Sequence, residues 1–155
     1  MAMLGFEQHD HHQCVTDGIK AAEAYCAEKG LRFTETRKRV LEILLEGHRA
    51  LGAYDILEVL HSEGRGSQPP VAYRALDFLV EHRFAHKIER LNAFVACGHI
   101  GETHAPIFLI CNTCDAVAEA HADPANNQVL TLARKSGFAV ERLVAEVIGT
   151  CPDCQ

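Results

Sequence analysis

The sequence predicts an α+β protein in two parts, a mainly helical N-terminal part and a small α/β C-terminal part. Three observations carry this. Apolar residues recur at helical spacing up to about residue 82. Two short alternating runs, 84–90 and 93–97, follow directly. Two Cys-x-x-Cys pairs, Cys111/Cys114 and Cys151/Cys154, then bracket a segment patterned strand, strand, helix, strand.

Taken in order, residues 1–13 read as a loose tail. A first helix fits 17–29, with Gly30 as its C-cap. Thr34 is a good N-cap for a second helix, which carries Val40, Leu41, Leu44 and Leu45 on one face and ends near Gly47. A third, 53–63, buries Ile56, Leu57 and Leu60. Residues 65–70 form a loop. The fourth helix spans about 70–82, with Val71, Ala72, Ala75, Leu76, Leu79 and Val80 inward and Tyr73, Arg74, Asp77 and Glu81 outward. The runs 84–90 and 93–97 then form a hairpin turning near Asn92. Short helices followed by a hairpin describe a winged helix-turn-helix. Residues 98–106 read as a hinge. Beyond it lie a strand at 107–111, a strand at 116–121, a helix over about 124–136 closed by Gly137, and a strand at 140–150. The expected domains are 1–97, with the tail at 1–13, and 107–155.

Composition narrows the function. The chain has 155 residues and a formal net charge of −6, which argues against a generic nucleic-acid coat. Residues 1–97 are nearly balanced, with 12 basic and 14 acidic side chains, whereas 98–155 carry 3 and 7. Any DNA contact must therefore come from focused patches. No apolar run approaches the ~20 residues of a membrane span. The first 16 residues lack an apolar signal core, so the expectation is a cytoplasmic protein. Seven cysteines without a signal suggest thiolates that serve a metal in a reducing compartment.

A Cys-x-x-Cys turn aims two thiolates at one point, and two such turns complete the tetrahedral sulfur site that zinc prefers. A redox pair needs a helix start to lower one thiol pKa, whereas here each pair closes a strand-like run. The wide gap between the pairs makes the intervening segment a structural unit that metal clamps shut. A second group of metal-capable residues flanks the hinge: His86, Cys97, His99, His104 and Glu119, with His121 close to the last. His86 shares a strand face with Phe84 and Ile88, and so points inward. Glu119 lies on an otherwise apolar strand, where a buried acid needs a partner or a metal. A core histidine, a small buried cysteine and an edge-strand acid would give the same pattern.

In a helix-turn-helix the second helix of the motif enters the major groove. Arg74 faces outward in its first turns and matches guanine O6 and N7. Tyr54 and Tyr73 are placed for thymine methyls or phosphates, and Arg37, Lys38 and Arg39 for phosphate. An ordinary solvated face has a similar pattern, and the hairpin context is what favours DNA. No His-Glu-x-x-His motif is present, and a site closed by four thiolates leaves no open position for catalysis, so no enzyme is expected.

These residues resemble a family. Ala53-Tyr54-Asp55-Ile56-Leu57, Tyr73-Arg74-Ala75-Leu76-Asp77-Phe78-Leu79, His86-Lys87-Ile88-Glu89 and the two Cys-x-x-Cys turns are similar to those of the ferric uptake regulator superfamily, from about residue 16 onward. The Arg-Ala-Leu-Asp-Phe-Leu segment and Cys97 look like the zinc uptake regulator branch, since thiolate favours zinc. The resemblance implies a zinc-responsive repressor of zinc-uptake genes. It would bind double-stranded operator DNA as a homodimer, with no membrane and no small-molecule substrate. It implies two zinc ions per subunit: a structural one at Cys111, Cys114, Cys151 and Cys154, and a sensing one at His86, Cys97, His104 and Glu119. Tyr54 and Arg74 match positions that contact operator bases. An iron, manganese or peroxide sensor of the same superfamily is the nearest alternative. The chain departs from the family at Val71, where Thr is usual and would cap the fourth helix, and in its additional His99. The stretch His9-Asp10-His11-His12-Gln13-Cys14 has no family counterpart.

Overall fold

The computed structural model describes residues 11–155 except 48, 66–67, 103 and 124, and the side chains of 11, 121 and 122 are outside the description. The expected tail therefore falls outside it up to residue 10, whereas residues 11–13 are helical. The described chain divides into two compact units, one ending at Gly101 and one beginning at Glu102.

The first unit contains α1 (His11–Lys29), α2 (Glu35–Leu45), α3 (Ala53–Ser62), α4 (Pro69–Glu81), β1 (Ala85–Ile88) and β2 (Ala93–Ala96). Each boundary has a local cause. Gly30 takes φ 66, the left-handed conformation that closes α1. The Thr34 hydroxyl accepts from the Arg37 N–H at 3.3 Å and caps α2. Gly52 opens α3, and the Asp55 carboxylate accepts its N–H at 2.8 Å. The core joins Val40, Leu41 and Leu44 of α2, Ile56 and Leu60 of α3, Leu76 and Leu79 of α4, and Phe84. Phe84 meets Phe33, Tyr25 and Phe78 edge-on. The hairpin is antiparallel, with His86 opposite Val95, and Asn92 takes φ 46 at its turn. Leu51 adds a bridge to Phe94, bonded both ways at 2.8 and 2.9 Å.

Three expectations are corrected here. The N-cap of α4 is Gln68, with Pro69 and Pro70 in the first two helical positions, so Val71 is inside the helix and is not its cap. Val71 is exposed, and Phe78 takes the buried place expected of it. On α2, Ile43 joins the buried set, while Leu45 is only half-buried.

The second unit is a three-stranded sheet with β3 (Ala105–Cys111) between β4 (Val117–Ala122) and β5 (Ala145–Gly149). The β3–β4 pair is antiparallel and the β3–β5 pair is parallel, with Ile107 against Ala145 and Cys111 against Gly149. Helix α5 (Gln128–Lys135) connects β4 to β5. It starts later than expected because the Asn127 side chain accepts from the N–H groups of Val129 and Leu130. The final strand is likewise shorter than 140–150, and the first begins at Ala105, two residues before the expected 107.

Candidate metal centres and nucleic-acid interface

The second unit brings its four distal cysteines together. Cys111 ends β3, Cys114 follows after a tight turn, and Cys151 and Cys154 follow β5 around a 3-10 turn, Pro152–Cys154. The register that sets Cys111 against Gly149 places the second pair beside the first. All four sulfurs lie within 4.8 Å of one another. Zinc–sulfur bonds of about 2.3 Å in a tetrahedron put sulfurs about 3.8 Å apart, and Cys114 and Cys151 are 3.7 Å apart. Geometry and donor chemistry therefore fit zinc.

The surrounding backbone favours thiolate. The N–H groups of Cys151 and Thr113 both donate to Cys111 Sγ at 3.4 Å. Hydrogen bonds from the backbone of Cys151, then Cys114 and Thr113, pull the Cys111 thiol down to about 6. Cys154 is pushed up to about 12 by its hydrogen bonds to Cys151 and Cys114. One sulfur is thus ready as a thiolate while another keeps its proton, and a bound cation displaces such protons.

In the same unit His104 Nδ1 donates to the Glu102 carbonyl at 3.0 Å, and its Nε2 lies 2.8 Å from Glu119 Oε1. The carbonyl can only accept, so Nδ1 carries a proton. In the neutral ring Nε2 is then a lone pair aimed at a carboxylate oxygen. Two such donors are held together by a proton or by a metal ion, and the Nδ1–carbonyl bond is the outer support that metal-binding histidines use. Both side chains are largely buried, at 9% and 8% exposure.

In the first unit His86 and Cys97 are both buried. Cys97 N–H donates to the Phe84 carbonyl at 2.9 Å, so the hairpin ladder continues past β2. Cys97 then shares a sheet face with His86 as its diagonal neighbour. The His99 N–H donates to Cys97 Sγ at 3.3 Å. His99 thus has a backbone role toward the sulfur that sequence reasoning did not foresee. For His121 the structure adds only its place on β4.

The DNA-reading expectations divide. Tyr54 and Tyr73 are exposed and line one cleft of about 460 Å³ with Asp77, Lys87 and Asn92. Arg74 is exposed on α4, its Nε donating back to the Pro70 carbonyl at 3.3 Å. The basic run on α2 is engaged within the chain. Arg39 bonds Glu63 and Glu42 at 3.0 Å and Glu46 at 2.7 Å. Lys38 bonds Glu23 at 2.9 Å. Arg37 donates to the Arg32 carbonyl and lies 3.8 Å from the Phe78 ring centroid. Each of the three thus has a partner within the chain, acids for Lys38 and Arg39 and a carbonyl and a ring face for Arg37.

Comparison with known proteins agrees with this geometry. The profile of the "Ferric uptake regulator family" matches residues 28–147. The chain is 40% identical over 137 residues to the "Zinc uptake regulation protein" of Escherichia coli (strain K12), covering 88% of this chain and 80% of that protein. A solved "Zinc Uptake Regulator Complexed With Zinc AND DNA" superposes with TM-score 0.82 at 38% identity, over 90% of this chain and 94% of that one. The crystal structure of holo XcZur gives TM-score 0.78 at 36% identity, over 89% and 96%.

Proposed function

The chain belongs to the ferric uptake regulator family, and from that membership we propose that it is a zinc-responsive transcriptional repressor acting on zinc-uptake genes. It is a regulator and not an enzyme. The observation that carries the reading is its 40% identity to a zinc uptake regulation protein across 88% of the chain. The division of labour follows from the two units. The first reads DNA, with Arg74 on guanine and Tyr54 and Tyr73 beside it. The second holds a structural zinc at Cys111, Cys114, Cys151 and Cys154, and pairs two subunits. The proposed boundaries keep the reading domain to residue 97 and the dimerisation domain from 107.

Pairing is supported by apolar side chains that the second unit leaves exposed: Val129 and Leu132 on α5, and Val147 and Ile148 on the edge strand β5. A homodimer presents two α4 helices to successive major grooves about 34 Å apart.

The sensing residues are His86 and Cys97 from the first unit, with His104 and Glu119 from the second. Zinc bound to them would supply the signal that licenses operator binding. His104 and Glu119 are already oriented, and Cys97 receives the His99 N–H. The thiolate favours zinc over the iron and manganese that oxygen-rich sets select. Two zinc ions per subunit follow from the two sets. Among the described residues no helix is long and apolar enough to cross a membrane, and a repressor of this kind works in the cytoplasm, where its operator DNA lies. Replacing Cys97 by Ser tests the assignment: zinc-dependent operator binding should be abolished while the dimer remains. A Cys97→Ser protein that still needs zinc to bind would remove Cys97 from the sensing set.

A further inference from the structure

Among the described residues, the first unit exposes three large apolar side chains: Tyr54 at 76%, Val71 at 37% and Tyr73 at 43%. Singly such residues mean little. These three all stand in the opening turns of α3 and α4, the end of the motif that faces DNA in the reading above. Val71 is the one without a polar group, and it occupies the third position of α4. Helix physics favours something else there. The first turn of a helix prefers acidic or polar residues, which answer its free N–H groups, and a β-branched apolar residue forgoes that gain. A partly exposed side chain that departs from a local preference is a candidate functional position. Val71 also precedes Arg74 by three residues, so the two are neighbours on the helix surface.

We propose that Val71 is a specificity-determining residue whose exposed methyl groups contact the 5-methyl of a thymine next to the base read by Arg74. The chemistry is that of the major groove, where the thymine methyl is the one apolar feature that distinguishes a base edge. A charged residue in the same place would instead repel or hold phosphate. The proposal rests on the DNA-reading function given above.

The test uses the zinc-loaded full-length protein and a duplex it selects from a random palindromic pool. Each thymine is replaced in turn, in both half-sites together, by deoxyuridine, which lacks only the methyl. Wild type, Val71→Ala and Val71→Ser are titrated against the set with and without zinc. Wild type should lose affinity at one symmetric thymine pair, by roughly three- to fivefold per half-site, the scale of one buried methyl. Both variants should bind thymine and deoxyuridine alike at that pair, with unchanged sensitivity elsewhere. The proposal is overturned if no pair shows this loss in wild type, or if the variants keep it. Wild type that selects no duplex removes the DNA reading and this contact with it. Selection that ignores zinc removes the zinc response alone, and the uracil scan still decides the contact.

Discussion

At the scale of single residues, the convergence of the four distal cysteines was the most legible. Cys-x-x-Cys spacing is itself a geometric statement, and Cys111, Cys114, Cys151 and Cys154 do converge. The partners of Lys38 and Arg39 were not legible because they are distant in sequence: Glu63 lies 24 residues from Arg39, and Glu23 lies 15 from Lys38. Periodicity cannot see such pairs. Arg39 therefore has a structural role with its own test. Arg39→Ala should lower stability by about 1–2 kcal/mol in chemical denaturation, less at high salt. The same network gives a pH dependence. Hydrogen bonds from Arg39 hold the Glu63 carboxyl below its ordinary 4.5. A depressed carboxylate contributes stability that is complete above its unfolded value and is lost as pH falls through the folded one. Glu63→Gln should thus be less stable than wild type at neutral pH, with the gap closing below about pH 4. A gap that persists unchanged into acid would argue that Glu63 acts by packing alone.

At the scale of elements, the order of helices and strands was readable from apolar spacing, and the boundaries were not. Gln68, Pro69 and Pro70 start α4 before the point where a Thr cap is usual, and the Asn127 side chain starts α5 after its expected beginning. Caps decide such ends, and a cap depends on one side chain's conformation rather than on a pattern. Leu51 bridging Phe94 was invisible for a related reason, since one bridged residue leaves no alternation to detect. Helix α4 is anchored by Leu76, which is fully buried. Leu76→Ala should cost about 2–5 kcal/mol and abolish operator binding by unfolding the first unit. For the second unit the proposed anchor is a zinc ion on the four cysteines. Removing zinc with a strong chelator, or substituting Cys111→Ser, should melt β3, β5 and the turns between them, seen as lost amide protection in residues 105–154. Protection that survives both treatments would show that the sheet holds without its metal.

At the scale of the whole molecule, the two-part α+β organisation and the family were legible because several motifs agreed, each too weak alone. The function depends on linkage between zinc and DNA. If zinc favours the DNA-competent state, operator DNA must raise zinc affinity by the same factor. Near-complete switching needs about 5.5 kcal/mol of differential binding, within the scale of protein zinc sites. Because the ligands bind as thiolate and neutral imidazole, zinc affinity should fall as pH is lowered, and operator binding should fall with it at fixed free zinc.

The most direct test is operator binding by fluorescence anisotropy, across buffered free zinc, iron(II) and manganese(II), with the purified protein and a palindromic operator. The account predicts binding that appears with zinc alone, at free zinc far below nanomolar. Binding driven equally by iron or manganese, or binding indifferent to metal, would contradict it.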